Sequence, residues 1–481
     1  MDKRINPFSV FTLVVMLALV LPVLLQDGMF MDGVQYACVS RNLATGDGTF
    51  WFPWLSESWE KAGSAYFMEH PPLVYGIQSI FFRIFGDTMY TERIYSLFTL
   101  LTTAFLISRI WNLINPTTNK SIGWLSVFLW IITPVCFWSY QNNMQENTMG
   151  IFTLLATWFI LKGLIASPTN MVWFVLGGLA IFATFLCKGL PGLFPFTAVA
   201  FYFICFKTIP KSRVLFYSAV VGLTATGVLL AIVLLHEPAA DSLNFYFYER
   251  LGYRISSEPT VESRFYILGR LCSELIPMII VFLLLGWGSL KNIGSNNKRW
   301  ALFFLLLGLS GSLPLMLTNV QSGFYLVPAF PFFALSVSFL FKERVEKMQM
   351  FILNHGDTSN ILRLTSSALM LMVLGVSLSV AGQPGREICE LQHAGRIAQE
   401  LGENQTVCTT PDVYFNWSLH FYLLRKYNIT LDYKKKDCSA CLRKMQTPTY
   451  EDYAEKKCIG HFVLYKQTNS GLKDKTFVLN K

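Results

Sequence analysis

Four ionisable side chains stand where apolar sequence gives way to polar loop. Asp32 lies in "GMFMDGVQYAC", just after the first apolar stretch. His70 precedes Pro71-Pro72, Glu146 heads a later stretch in "QENTMG", and Lys188 ends another in "FLCKGLPGLFP". Charges at a membrane boundary are costly, so they either serve a function or snorkel to water. An acid, a histidine and a lysine together suit glycosyl transfer from a lipid phosphate sugar. An inverting transfer needs one carboxylate to take the acceptor's proton while the phosphate leaves from the opposite face of the sugar. The leaving phosphate needs cations, and lysine or histidine supplies charge without a metal. No Asp-x-Asp occurs in the loops concerned, so neither a divalent metal nor another cofactor is implied. Arg250, Arg254 and Arg264 are further cations, with Arg254 the candidate for the donor phosphate.

Each residue also has a plainer reading. Lys188 can snorkel. Asp32 can cap a helix, because Gly33 to Leu43 reads as helical and amphipathic. His70 can be a surface histidine, and Glu146 an acid favoured at a helix N-terminus.

The elements that must position these residues are membrane helices. Of 481 residues, 53% are hydrophobic and 14% charged, and the mean hydropathy is +0.42. Soluble proteins carry about a quarter charged residues. The net charge of +9 fits basic cytoplasmic loops, and no basic patch with interleaved aromatics points to nucleic acid. The stretch from Pro7 to Leu25 lacks a small-residue cleavage site after it, so it reads as a retained helix with a cytoplasmic N-terminus.

Apolar stretches fall at 7–25, 71–86, 92–114, 121–140, 147–166, 171–187, 189–206, 213–235, 266–289, 299–317, 323–341 and 361–381. A crossing takes roughly 20 residues. Basic loops around Lys207–Arg213, Lys291–Arg299 and Lys342–Lys347 should be cytoplasmic. They place loop 236–265, the tail from 382, Lys188 and Glu146 outside. Counting from the N-terminus puts Asp32 outside too. One of the stretches between 71 and 146 therefore does not cross fully. Stretch 71–86 is short, and 121–140 is interrupted at Thr133-Pro134. Eleven full crossings are expected, within a range of about 11–13 helices.

The loop 26–70 is long and collects Asp27, Asp32, Asp47, Glu57, Glu60, Glu69 and His70. Residues 1–381 read as a transmembrane domain and 382–481 as a small external α/β domain. In the tail, "RIAQELGENQTVCTT" reads as helix then strand, and "IGHFVLYKQ" as a strand. Five cysteines lie there: Cys389, Cys408, Cys438, Cys441 and Cys458. Cys438-Ser-Ala-Cys441 has no second Cys-x-x-Cys to make a zinc site, so structural disulfides are expected, with one thiol left over.

Several segments resemble, in order, the GT-C glycosyltransferases of the protein O-mannosyltransferase and lipid A aminoarabinose transferase type. They are an acid followed by "VQYACVSRNLATGDGTFWFP", then "HPPLVYGIQSIFFRIFGDTMYTERIYSLF", "QENTMGIFTLLATWFI", "CKGLPGLFP" and "GFYLVPAFPFFAL". The resemblance implies a polytopic α-helical bundle with a long first external loop and a soluble external domain, in a bacterial inner membrane. It implies a polyprenyl-phosphate sugar as donor and a lipid A, protein or other surface-glycan acceptor. It makes Asp32 the base and Glu146 the second acidic-loop residue. Lys188 matches the phosphate-side lysine, Tyr325 the late tyrosine near the donor phosphate, and His70 stands where many members have lysine. Two departures stand out. Asp32-Gly33 replaces the common Asp-Glu, and Asn319, Gln321 and Ser322 replace the basic residue before the late tyrosine. The rival class, a transporter or flippase of lipid-linked sugars, predicts mid-membrane charges and two repeat halves. The charges here sit at one face, and no repeat is visible.

Overall fold

The computed structural model describes residues 6–59, 65–116, 122–252, 259–286, 293–435, 437–445 and 455–466. Within the described residues each of the twelve apolar stretches contains helix. In chain order the helices are α1 Pro7–Leu25, α2 Met31–Thr45, α3 Leu73–Phe85, α4 Thr91–Ile114, α5 Gly123–Ile131, α6 Pro134–Gln141, α7 Gln145–Ile165, α8 Val172–Lys188, α9 Ala198–Phe206, α10 Lys211–Leu235 and α11 Glu237–Phe245. They continue as α12 Tyr266–Leu285, α13 Ser295–Ser312, α14 Phe330–Asn354, α15 Gly356–Ser379, α16 Ile388–Leu401, α17 Pro411–Tyr414 and α18 Trp417–Tyr427. Short 3₁₀ turns, Leu190–Thr197, Leu313–Leu317 and Gly323–Ala329, join α8 to α9, extend α13 and lead into α14.

Local chemistry sets the ends. The Asn6 side chain accepts from the Phe8 N–H at 3.0 Å, and Pro7 starts α1 where its missing N–H is no loss. Among the described residues, eight helices are long and apolar enough to cross a membrane. The pair α5–α6, bent by 75° at the Thr133-Pro134 break, makes a ninth. This is an integral membrane protein.

The two candidates for an incomplete crossing behave differently. Trp124, at the head of α5, donates to Gln349 of α14 at 2.7 Å, while Asn142, just past α6, accepts from the Phe30 N–H at 2.8 Å. The bent pair therefore joins opposite ends of the bundle. α3 does not. Tyr75 near its start hydrogen-bonds Gln145, and Asp87 just past its end pairs with Arg425 at 2.5 Å. Arg83 in its last turn reaches the Leu43 carbonyl of α2 at 3.4 Å. Both ends of α3 thus lie at the end of the bundle that carries α2 and the tail. It buries Val74, Tyr75 and Phe82 and exposes Ile80, Ile84 and Phe85, as suits a helix lying in a membrane interface. The helix α8 and the segment Leu190–Phe206 are, like α3, apolar but shorter than the eight spans.

The tail forms a five-stranded sheet of β1 Thr406–Thr409, β2 Thr430–Asp432, β3 Ala440–Lys444, β4 Glu455–Ile459 and β5 Phe462–Lys466, in the order β2-β1-β3-β5-β4. β1 is parallel to β2 and β3, and β5 is antiparallel to β3 and β4. The helix-then-strand reading holds as α16 and β1. "IGHFVLYKQ" starts on the last residue of β4, turns at Gly460-His461 and continues as β5. The five tail cysteines give one disulfide, Cys408–Cys438, and leave three thiols rather than one, at Cys389, Cys441 and Cys458. One hydrophobic core joins Tyr36, Val39 and Leu43 of α2 and Trp59 and Phe67 of the first loop to Leu419, Phe421 and Leu424 of α18.

Candidate functional site

α7 and α8 run antiparallel, which brings Glu146 in the first turn of one beside Lys188 in the last turn of the other. The Lys188 ammonium pairs directly with Glu146 Oε1. Glu146 is wholly buried and Lys188 is 6% exposed. At that depth either charge left without its partner would be costly, so the two side chains depend on each other. Simple snorkelling does not describe Lys188: its ammonium points inward. It sits 4.5 Å from the centre of the Tyr325 ring and 5.5 Å from that of Phe324, within cation–π range. Glu146 Oε2 has no hydrogen-bond partner among the described residues.

Glu146, Lys188 and Tyr325 wall a cavity of about 290 Å³, otherwise lined mainly by apolar side chains such as Met149, Leu190 and Leu315. Tyr246 lines it as well and donates to the Lys188 carbonyl at 3.4 Å. Gly189 follows at φ +80, and a Cβ there would lie 1.8 Å from the Tyr246 hydroxyl oxygen. The break after Lys188 therefore requires glycine twice over, for its dihedral and for its lack of side chain.

Asp32 enters from α2. It occupies the first turn, behind Phe30 as N-cap, and the helix start has no side-chain cap. Burial first, then the charges of Asp32, Tyr75, Glu146 and Tyr325, push the Tyr36 hydroxyl well above its usual pKa. Asp32 stands one helical turn before Tyr36 on α2. The approach of α2 is close. Asn143 Nδ2 donates to the Gly33 carbonyl at 3.0 Å, and a Cβ on Gly33 would lie 2.0 Å from the Asn142 carbonyl oxygen. The Asp32-Gly33 departure has its reason here: no side chain fits at 33, so a second acid cannot follow Asp32.

His70 is buried just ahead of α3 rather than on the surface. Arg254 lies outside the described residues, and so nothing places it. Among the described residues no cluster of three His, Cys, Asp or Glu side chains could hold a metal ion. Sequence reasoning missed Tyr36, Tyr75, Gln145 and Tyr246. It also missed an ion pair within stretch 266–289. Arg270 Nη2 meets Glu274 Oε1 at 2.5 Å, while Glu274 Oε2 accepts from the Val135 N–H at 2.7 Å and so caps α6 across the Thr133-Pro134 break. Two charges four residues apart in an apolar stretch were the available signal.

Residues 69–236, which include His70, Glu146 and Lys188, match the family model of dolichyl-phosphate-mannose-protein mannosyltransferases. The structure of ArnT from Cupriavidus metallidurans bound to undecaprenyl phosphate superposes with a TM-score of 0.65 at 14% identity, covering 96% of this chain and 98% of that one. Its apo form gives 0.61 at 14% identity, covering 95% and 96%. Among curated proteins none matches the chain by sequence. At such identity the likeness is one of fold.

Proposed function

We propose that this chain, whose fold is that of the GT-C glycosyltransferases, is an inverting enzyme that moves a sugar from a polyprenyl-phosphate donor to a lipid, protein or other surface-glycan acceptor at the external membrane face. One observation carries the reading: a buried Lys188–Glu146 pair over the Tyr325 ring, at the polar wall of an otherwise apolar cavity. Such a cavity suits a lipid chain, and the ammonium suits its phosphate. The ArnT structure with undecaprenyl phosphate supports a donor of this class.

In the reaction Asp32 takes the proton of the acceptor hydroxyl. The freed oxygen attacks the anomeric carbon, and the bond from that carbon to the phosphate oxygen breaks. The phosphate departs with the electron pair, and its growing charge meets Lys188. Glu146 Oε1 holds the Lys188 ammonium in place before the donor arrives, and its Oε2 remains for a substrate hydroxyl. Tyr325 and His70 complete the donor side, with Arg254 as a further cation from its loop. The N-terminus is cytoplasmic, and the site and the tail face outward.

The test is the purified protein offered a panel of polyprenyl-phosphate sugars with lipid and protein acceptors, read by product mass. Transfer with inversion at the anomeric carbon supports the reading. Donor binding without product, or movement of intact donor across vesicles, counts against it.

A further inference from the structure

The segment that delivers Asp32 is held from two sides. On one side stands the α6–α7 turn, which also leads into Glu146. Its Asn142 accepts from the Phe30 N–H at 2.8 Å, and its Asn143 donates to the Gly33 carbonyl at 3.0 Å. On the other side stands the tail. The Tyr422 hydroxyl accepts from the Met29 N–H at 3.0 Å and donates to the Met29 carbonyl at 2.7 Å, satisfying both backbone groups of one residue. Tyr422 and Met29 are both buried, so neither bond is an exchange with bulk water.

The rest of α18 reinforces this grip. Tyr422, Arg425 and Lys426 lie three and four residues apart, on one helix face. Lys426 pairs with Asp27 at the end of α1, and Arg425 pairs with Asp87 at 2.5 Å and Glu92 at 2.9 Å, at the α3–α4 junction. Arg41 of α2 returns the contact by donating to the Leu424 and Arg425 carbonyls, each at 3.1 Å. Tyr422, Arg425 and Lys426 line, with Asp27, Asp87 and Glu92, a cavity of about 150 Å³ that shares no wall residue with the Lys188 cavity.

We infer that Tyr422 is a positioning residue for Asp32, and that the C-terminal unit completes the transferase site by clamping the start of α2. This rests on the assignment of Asp32 as base. The clamp sets the distance between Asp32 and the Glu146–Lys188 pair, because the α6–α7 turn fixes the opposite side. A base must sit within hydrogen-bond reach of the proton it takes, and a displacement of about 1 Å can cost up to roughly a hundredfold in rate.

Tyr422→Phe in the full-length protein keeps the ring and removes the hydroxyl. The expected result is a fall in kcat of roughly tenfold with donor KM nearly unchanged. Hydrogen exchange should accelerate at residues 28–34 while β1 and β3 stay protected. Tyr427→Phe, on the same helix but outside the clamp, should change neither. Unchanged kcat together with unchanged exchange at 28–34 overturns the inference. So does a variant in which the whole tail loses protection and KM rises with it, since the hydroxyl would then serve folding alone. If the wild-type protein transfers no sugar at all, the proposed function fails, and exchange at Met29 decides the clamp independently.

Discussion

Lys188 and Glu146 cannot be tested one at a time without an artefact. Lys188→Ala should weaken donor binding roughly tenfold to a hundredfold, the worth of a charge-assisted contact of about 1.5–3 kcal/mol. It also strands a carboxylate that is wholly buried, which typically costs about 3–5 kcal/mol in stability. The double variant Lys188→Met with Glu146→Gln removes both charges. It should recover the melting temperature but not donor affinity, measured by titration with a donor analogue. Recovery of both would return the pair to a structural role. For Asp32, replacement by Asn should lower turnover about a hundredfold or more with normal folding, and near-normal turnover would sink the assignment as base. Gly33→Ala should be as damaging to activity as its size is small, because its Cβ meets the Asn142 carbonyl. Charged residues were legible in the sequence because a charge in apolar surroundings is an anomaly. Tyr36, Tyr75 and Tyr246 were not: among 20 Tyr and 41 Phe, no aromatic stands out until packing shows what it touches.

At the scale of elements, hydropathy reads helices well and their course poorly. The stretch 7–25 was legible to the residue, because Pro7 and the polar flank Gln26-Asp27 bound it. Whether 71–86 crosses was not legible from composition. Length is the physical discriminator: the 13 residues of α3 reach about 20 Å as helix, well short of a hydrocarbon core of about 30 Å. The opposite holds for α5–α6, which the Thr133-Pro134 break made a candidate for an incomplete crossing, yet Glu274 caps the second half and lets the bent pair continue. Thiol labelling checks the arrangement. Cysteines placed at Glu57 and Asp87, in a background without Cys272, Cys389 and Cys458, should react with an impermeant reagent from the same side. A cysteine at Lys207 should react only from the other. Labelling of 57 and 87 from opposite sides would make α3 a crossing.

For the whole molecule, the sequence marked 382–481 as a small α/β unit but gave no sign that α18 and the first loop share one core. That union rests on contacts between residues hundreds of positions apart, which no local pattern encodes. His420 lies within it, 1% exposed, with Nδ1 3.2 Å from the Tyr414 carbonyl oxygen. Burial pushes its pKa down from 6.5 to about 4, against the weaker upward pull of that carbonyl. The folded state therefore favours the neutral ring. The stability this gives is present above about pH 6.5 and is lost as pH falls toward about 4, at roughly 1.4 kcal/mol per pH unit. Hydrogen exchange at α18 should quicken over that window in the wild type, and His420→Gln should flatten the dependence. An unchanged profile in the variant would assign the acid sensitivity to another group.

The bond from Tyr422 to Met29 spans 393 residues of chain. During biogenesis the first loop emerges long before its partner exists: at about 5–20 residues per second the ribosome needs roughly 20–80 s to cover that separation. Throughout that interval Trp59, Phe67 and the apolar face of α2 await the surface that will cover them. A nascent chain in this state offers a chaperone or a quality-control protease an obvious target. A nonsense mutation anywhere before α18, even one that spares every transmembrane helix, should yield a short-lived polypeptide rather than a merely inactive one.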